Sequence, residues 1–266
     1  MTTIAGKKVL ITGGSSGIGW LMAKKLIAKG AAQVILWDIK TPNLQQDSPK
    51  LPISFTAVDV SEKEAERQAS QQLIDQKLVP DILILNAGVV WGGYFHEQSA
   101  SQTQKMIDVN VFGVVWPAHF LLPAMIALKR GHIVSISSAA AMIANPRMAI
   151  YAATKWAVYG WSESLRLEMQ QLKTAIQVST VTPSFIDTGM FAGAKVNKLL
   201  PNLKPEVAAS KVVRGIEKNK RFIRMPFLVF ALPFLKGVLP ASWFDHLIGN
   251  GLSVYKSMSN FKGHSK

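Results

Sequence analysis

A phenol and an ammonium stand four residues apart in the run Tyr151-Ala152-Ala153-Thr154-Lys155. On a helix they share one face. A free tyrosine titrates near ~10, too high for a base at neutral pH, and a close positive charge favours the phenolate. The pair is therefore suited to moving a proton, although the same spacing also occurs on ordinary helix faces. Ser138 lies 13 residues before Tyr151, where Ser137 and Ser138 close a strand-like run. Asn86-Ala87-Gly88 closes another such run, and Asn110 sits among the apolar residues Val109, Val111 and Phe112.

A second constellation suits phosphate. Thr12-Gly13-Gly14-Ser15-Ser16-Gly17-Ile18-Gly19 follows an apolar run and opens a helical one. Glycines let a backbone turn tightly and approach a pyrophosphate, whose charge meets the free amides and positive dipole of the helix start. The spacing Gly13-x-x-x-Gly17-x-Gly19 differs from G-x-G-x-x-G, but the flanking strand and helix are those that nucleotide binding needs. Asp38 ends the next strand, 19 residues after Gly19. An acid there accepts hydrogen bonds from ribose hydroxyls and repels a 2′-phosphate, which favours NAD(H) over NADP(H). Ser15 and Ser16 add no positive charge, and Lys40 is the one neighbour that works against this preference.

These residues need a scaffold, and the chain alternates strand and helix signals along most of its length. Strand-like runs are Val9–Thr12, Gln33–Asp38, Ile53–Val58, Asp81–Asn86, His132–Ser137 and Ile176–Thr182. Helical stretches are Ile18–Lys29, a segment opened by Ser61-Glu62-Lys63-Glu64, Ser101–Lys129 and Tyr151–Leu172. Such alternation predicts βαβ units, a parallel sheet with helices on both faces and a doubly wound α/β fold of the Rossmann type. Ligands of such sheets bind at the carboxyl edge, where the glycine loop, Asn86, Ser138 and Pro183 all fall. Beyond Pro183 the alternation breaks. Residues 184–204 read as loop, Pro205–Lys220 as a helix and Arg221–Arg224 as a last strand. Phe227–Leu235 is apolar, and Pro226 and Pro233 argue against a straight helix there. No repeat or linker divides the chain, so residues 1–266 are expected as one domain. Residues 184–266 would supply substrate loop, lid and tail.

Composition narrows the classes. The chain has 266 residues, 48% hydrophobic and 17% charged, enough for a full core and too apolar for disorder. It has no cysteine, which excludes disulfides, Cys-ligated metals and thiol nucleophiles and suits a reducing cytoplasm. The five histidines show no metal-ligand spacing, so no catalytic metal is expected. The first residues lack the apolar core and cleavage site of a secretory signal. Net charge is +14, and residues 195–266 hold 13 Lys+Arg against 3 Asp+Glu. No nucleic-acid module accompanies that charge, so no nucleic-acid partner is expected.

Taken jointly, the order and spacing of these motifs over residues 5–190 resemble the short-chain dehydrogenase/reductase family in its single-domain form. The resemblance implies roles. Tyr151 would be the general acid/base, Lys155 would lower its pKa and hold the nicotinamide ribose, and Ser138 would hydrogen-bond the reacting oxygen. Asn110 would hold a water in a proton relay, or else cap a neighbouring backbone group. Gly13, Ser15, Ser16, Gly17, Ile18, Gly19 and Asp38 would bind the cofactor, with Asp59 and Val60 framing the adenine. Asn86, Ala87 and Gly88 would support the central strand and cofactor, and Pro183, Ile186 and Thr188 would meet the nicotinamide. Where the family often has Pro-Gly, this chain has Pro183-Ser184, which leaves the path of the substrate loop open. Narrower stretches, among them Val34–Ile39, Leu122–Met125 and Gly131–Val134, are similar to the branch with retinol dehydrogenases and 17β-hydroxysteroid dehydrogenases.

The candidate substrate pocket is Val90, Trp91, Tyr94, Ala140, Met142, Phe185, Met190 and Phe191, nearly all apolar. It offers no Arg clamp and favours an uncharged, lipophilic alcohol or carbonyl. Arg147 reads as a solvated loop residue. A homodimer or homotetramer is expected through the helices around Ser101–Lys129 and Tyr151–Leu172. The basic, apolar tail reads either as a peripheral membrane contact or as a lid or subunit contact; its uncharged run of 11 residues is too short to span a bilayer. Two function classes stand: an NAD-dependent oxidoreductase, and a catalytically silent dinucleotide-binding regulator on the same fold. An epimerase or dehydratase using the same Tyr–Lys pair usually has a longer chain.

Overall fold

Runs such as Val9-Leu10-Ile11 and Val34-Ile35-Leu36-Trp37 offer no solvent face, and a strand buried on both faces must lie inside a covered sheet. The computed structural model, which describes residues 1–42, 51–195 and 201–261, contains that sheet. Its strands are β1 (Lys8–Thr12), β2 (Gln33–Asp38), β3 (Ile53–Ala57), β4 (Ile82–Leu85), β5 (Gly131–Ile136), β6 (Ile176–Pro183) and β7 (Phe222–Met225). All pair in parallel, in the order β3-β2-β1-β4-β5-β6-β7. The helices are α1 (Gly17–Ala28), α2 (Lys63–Asp75), α3 (Ala100–Ile107), α4 (Gly113–Ala127), α5 (Ala149–Gln171), α6 (Pro205–Glu217), α7 (Leu228–Val238) and α8 (Ala241–Phe244).

Strand side chains alternate between two apolar layers, as a period of two requires. Val9, Ile11, Val34 and Leu36 meet Met22 and Leu26 of α1 and Val212 and Ile216 of α6. Leu10, Ile35 and Trp37 meet Leu73 of α2, Leu121 and Met125 of α4, and Val158 and Leu165 of α5. The chain is therefore one doubly wound α/β domain. β1 has β2 on one side and β4 on the other, so the winding reverses there and a crevice opens above the carboxyl ends of these strands.

Three local expectations change. The long helix around Ser101–Lys129 is broken into α3 and α4 by a π-turn at Asp108–Phe112 that carries Asn110. The segment Ala100–Ala127 is long and apolar enough to cross a bilayer by composition, but Val114, Ala118, Leu121 and Met125 spend that apolarity in the second layer. The last strand begins one residue later than the sequence suggests, at Phe222. Finally, α7 runs through Pro233. A proline inside a helix costs roughly 3 kcal/mol. Val229 and Leu232 are buried against Met142, Ile143 and Phe244, and that packing outweighs the lost backbone bond. Lys198, Lys262 and Lys266, which contribute to the tail's charge, lie outside the described residues.

Candidate active site

The glycine loop joins the end of β1 to the start of α1, at the point where the winding reverses. Gly13 has φ +62°, and a Cβ there would stand 2.9 Å from the Ala87 Cα. Gly19 is buried below it, where a Cβ would meet the Gly13 carbonyl oxygen at 2.2 Å. Neither position accepts a side chain. Asn86 fastens the loop from β4: its Nδ2 donates to the carbonyls of Thr12 at 3.1 Å and Gly13 at 2.9 Å. The Thr12 hydroxyl accepts from the backbone N–H of Asn86 and of Ala87, at 3.0 and 3.1 Å. Asp38 crosses from β2 and accepts from the Ser15 N–H at 3.0 Å and the Lys40 N–H at 3.2 Å.

A cleft of about 1410 Å³, including its open mouth, runs along this carboxyl edge. Gly13, Ser16, Gly17, Ile18, Asp38, Asp59 and Val60 border it, together with Asn86, Ala87 and Gly88. So do Ser138, Tyr151, Lys155, Pro183, Ile186 and Thr188. Ser15 and Gly19 do not border it; they shape the loop from behind. Lys105 does border it, paired with Asp59 at 3.1 Å, and no local pattern marked it. Burial works to raise the Asp59 carboxyl, but hydrogen bonds from Ser61 and Lys105 hold it below the usual carboxylate range. A backbone cradle closed to side chains, with acids at the far end of a long cleft, fits a dinucleotide.

At the near end, α5 places Tyr151 and Lys155 on its buried face. The Lys155 ammonium donates to the Ile136 carbonyl at 3.1 Å and lies 5.7 Å from the Tyr151 ring centre. Ser137 binds the Lys155 carbonyl at 2.8 Å. Burial pushes the Tyr151 phenol up to about 12, against the opposite effect of a hydrogen bond with Ser138. Burial also brings the Lys155 ammonium down to about 8. The phenol is therefore higher than the Tyr–Lys spacing alone suggests, because its own desolvation outweighs the hydrogen bond that favours its charged form. At neutral pH Tyr151 keeps its proton.

Asn110 is fully buried and borders neither this cleft nor the pocket beside it. Its Oδ1 accepts from the Val89 N–H at 2.8 Å, and its Nδ2 donates to the Val89 carbonyl at 2.9 Å and to Thr154 at 3.1 Å. It clamps the strand end beside Gly88 to α5, so its side chain positions the site from behind.

A second cavity, of about 730 Å³ including its open mouth, adjoins the cleft, and Ser138, Tyr151, Ser184 and Phe191 border both. Of the expected pocket residues, Ala140, Phe185 and Phe191 line this cavity, whereas Met190 faces the cleft. Val90, Trp91, Tyr94 and Met142 line neither. Val90 and Trp91 pack in the apolar cluster under Tyr151, and Met142 turns toward Val229 and Leu232. Tyr94 is half exposed, stacked under Arg147 at 4.6 Å. Arg147 is not free in solvent either, since it donates to the Ser259 carbonyl at 3.0 Å. The remaining wall comes from the far C-terminus: Val229 and Leu232 of α7, then Leu252, Val254 and Ser257. Nothing local in the sequence announces them, because they reach the cavity only through tertiary packing. Among the described residues no group of His, Cys, Asp and Glu is placed to hold a metal.

Known proteins are similar to this chain over most of its length. A family profile for short chain dehydrogenases matches residues 7–198. Epidermal retinol dehydrogenase 2 of Homo sapiens is 35% identical over 272 residues, covering 99% of this chain and 87% of that protein. Estradiol 17-beta-dehydrogenase 11 of Rattus norvegicus is 32% identical, covering 92% and 84%. Among solved structures, a short chain dehydrogenase/reductase from Burkholderia phymatum in complex with NAD superposes with a TM-score of 0.80 at 23% identity, over 89% of this chain and 95% of that one. A metagenomic short-chain oxidoreductase in complex with NADP gives 0.67 at 28%, over 80% and 91%. The chain belongs to the short-chain dehydrogenase/reductase family of nicotinamide-dependent oxidoreductases, in the branch that includes the retinol and 17β-hydroxysteroid dehydrogenases.

Proposed function

We propose that this protein interconverts a lipophilic alcohol and its aldehyde or ketone, with Tyr151 as the acid/base. The observation that carries the reading is that Ser138 and Tyr151 border both the long cleft and the apolar cavity. A substrate oxygen bound to both hydroxyls therefore sits where the two spaces meet. A nicotinamide cofactor, held by the glycine loop, Asp38, Asp59, Lys155, Ile186 and Thr188, would supply or accept the hydride. In the reducing direction the Tyr151 phenol donates its proton to the carbonyl oxygen as charge develops there, and Ser138 donates a hydrogen bond to the same oxygen. In the oxidising direction the tyrosine must first lose that proton, so this direction gains with pH. Lys155 is the cation next to the phenolate, and Asn110 fixes Val89 and α5 around it. A silent regulator would not need Ser138, Tyr151 and Lys155 together. Tyr151→Phe keeps the ring packing and should lower kcat at least about 1000-fold, with NADH affinity changed less than about threefold. Retention of more than a few per cent of turnover refutes the role.

Three finer assignments belong to the same reading. Asp38 gives a preference for NAD(H). The stacked aromatic row of Phe112, at the end of the π-turn, and Trp116 and Phe120 of α4 is the face of a homodimer. The tail is both lid and membrane contact, and the enzyme works from the cytoplasmic side of that membrane. One face of α7 buries Val229 and Leu232, while Phe227 and Phe234 on the other are 85% and 70% exposed. Trp243 and Leu247 are also exposed, Arg224 lies 5.8 Å over the ring of Phe230 on α7, and Lys236 stands in the last turn of that helix. An apolar face rimmed by cations suits an interface with anionic lipid.

A further inference from the structure

Six non-glycine residues among those described have a positive φ, a conformation that favours glycine. Lys77, Lys129, Lys173 and Asn219 stand two residues past the ends of α2, α4, α5 and α6, where a left-handed residue is an ordinary helix stop. Arg147 is not at such a stop. It has φ +67° in the turn Asn145-Pro146-Arg147-Met148, which closes with the Met148 N–H donating to the Asn145 carbonyl at 3.2 Å. Proline second and a positive φ third make the pattern of a type II turn, whose third position usually holds glycine. Arginine bears a backbone cost there that glycine avoids, so what the side chain touches is informative.

The guanidinium donates to the Ser259 carbonyl at 3.0 Å and lies 4.6 Å from the centre of the Tyr94 ring. The Arg147 carbonyl accepts from the Gly93 N–H at 3.0 Å. One residue thus ties together the connection after β4, the turn before α5 and the C-terminal segment 252–261. That segment belongs to no strand. Its other fastenings are few. The Ser257 hydroxyl accepts from Asn145 Nδ2 at 2.8 Å, and the Ser257 carbonyl accepts from the Lys195 N–H at 2.8 Å. Met258 is buried in the cluster of Met148 and Tyr151, and the Phe261 ring seats on Gly92, where a Cβ would stand 2.4 Å from it. Leu252, Ser253, Val254 and Ser257 line the cavity but not the cleft, whereas Ser138 and Tyr151 border both. The segment therefore faces the end of a substrate remote from its reacting oxygen.

We infer that Arg147 is a positioning residue for that remote, apolar end. It clasps segment 252–261 where the segment walls the cavity, and so sets the length of lipophilic chain that the site favours. The inference rests on the oxidoreductase reading above. Arg147 itself lines neither cavity nor cleft, so it acts through Ser259 and the wall.

The probes are n-alkan-1-ols of about four to ten carbons, oxidised with saturating NAD or NADP, together with hydrogen exchange of residues 252–261 read by mass spectrometry. Arg147→Gly removes the clasp and suits the turn. It should speed exchange of that segment at least about fivefold while the strands of the sheet exchange as before. KM for decan-1-ol should rise at least about tenfold and KM for butan-1-ol less than about twofold, since only the longer chain reaches the wall. NADH affinity should change less than about threefold, because Arg147 does not border the cleft. Arg147→Lys keeps a donor for the Ser259 carbonyl and should recover most of the dependence on chain length. Gly92→Ala unseats Phe261 at the other end of the segment and should move KM in the same direction with Arg147 intact. Unchanged exchange in Arg147→Gly, or a rise in KM equal for short and long alcohols, overturns the inference. A fall in kcat at unchanged KM also overturns it, since the effect then lies at the reacting groups. If the wild type oxidises no alkanol, the oxidoreductase reading fails for lipophilic alcohols and this inference falls with it. Circular dichroism on each variant separates loss of fold from loss of the clasp.

Discussion

Glu66 sits on α2 with no exposed surface, and neither carboxyl oxygen has a hydrogen-bond partner. Its neighbours in the second layer are apolar, and Ser70, one turn on, is also buried without a partner. Burial first, and the charge of Asp59 second, push its carboxyl from 4.5 up to about 9. Folded protein therefore keeps the proton at neutral pH, while the unfolded chain releases it above 4.5. Between these values the unfolded state binds fewer protons, so stability falls as pH rises; below 4.5 both states are protonated and the effect vanishes. From 4.5 to pH 7 is about 2.5 units, each worth about 1.36 kcal/mol, so the burial of Glu66 costs about 3 kcal/mol at pH 7. Glu66→Gln removes the titration and keeps the shape. Any pH-independent cost of the amide cancels when the variant is compared with wild type across pH. The stability of the variant relative to wild type should therefore rise by about 3 kcal/mol between pH 4.5 and pH 7, equivalent to roughly 6–12 °C in Tm for a domain of this size. Thermal melts of both proteins from pH 4.5 to 9 measure it. Parallel melting curves against pH would show that the carboxyl is ionised or solvated in the fold, and would refute the reasoning.

Asp38→Ala should lower kcat/KM for NAD at least about tenfold and raise the NADP/NAD ratio, because it removes both the ribose acceptor and the bond to the Ser15 N–H. A wild-type preference for NADP contradicts the reading of Asp38. The intact protein should pellet with anionic liposomes at low salt and progressively less as screening shortens toward about 8 Å near physiological ionic strength. Phe227→Ser with Phe234→Ser should abolish pelleting without loss of fold; indifference of the wild type to anionic vesicles refutes the membrane contact. Light scattering at micromolar concentration should report at least a dimer, and Trp116→Glu a monomer; a monomeric wild type removes α4 as an interface.

The sheet was readable because its cause is local. Val9–Thr12, Gln33–Asp38 and the other apolar runs fall where the strands fall, to within a residue at most ends. The glycine loop was readable because backbone geometry dictates residue type, as the 2.2 Å approach at Gly19 illustrates. The Tyr151–Lys155 pair follows from the helix repeat. What the sequence hid depends on distant chain. Asn145 looks like any polar residue before a proline until Ser257 arrives to fix it. Tyr94 and Met142 look like pocket residues until Arg147 and α7 draw them elsewhere. The phenol of Tyr151 rises rather than falls because spacing reports a neighbouring charge but not the depth of burial. The helix through Pro233 escaped for the same reason, since local propensity opposes it and only burial of Val229 and Leu232 supports it.

Buried polar atoms without partners divide by where they lie. Glu66 and Ser70 lie within α2, away from either cavity wall, so their cost falls on stability. Asn145 and Ser184 belong to the cavity wall, and Ser184 also borders the long cleft, but their unpartnered oxygens are themselves buried. Each costs the protein about 1–3 kcal/mol. Ser184 is also the residue that replaces a common glycine after β6, at the junction with Ser138 and Tyr151. An added hydroxyl there would be a defect in a closed core. On the proposed function the apolar wall sets which molecules enter, and Ser138 and Tyr151, where cavity and cleft meet, hold the reacting oxygen in register.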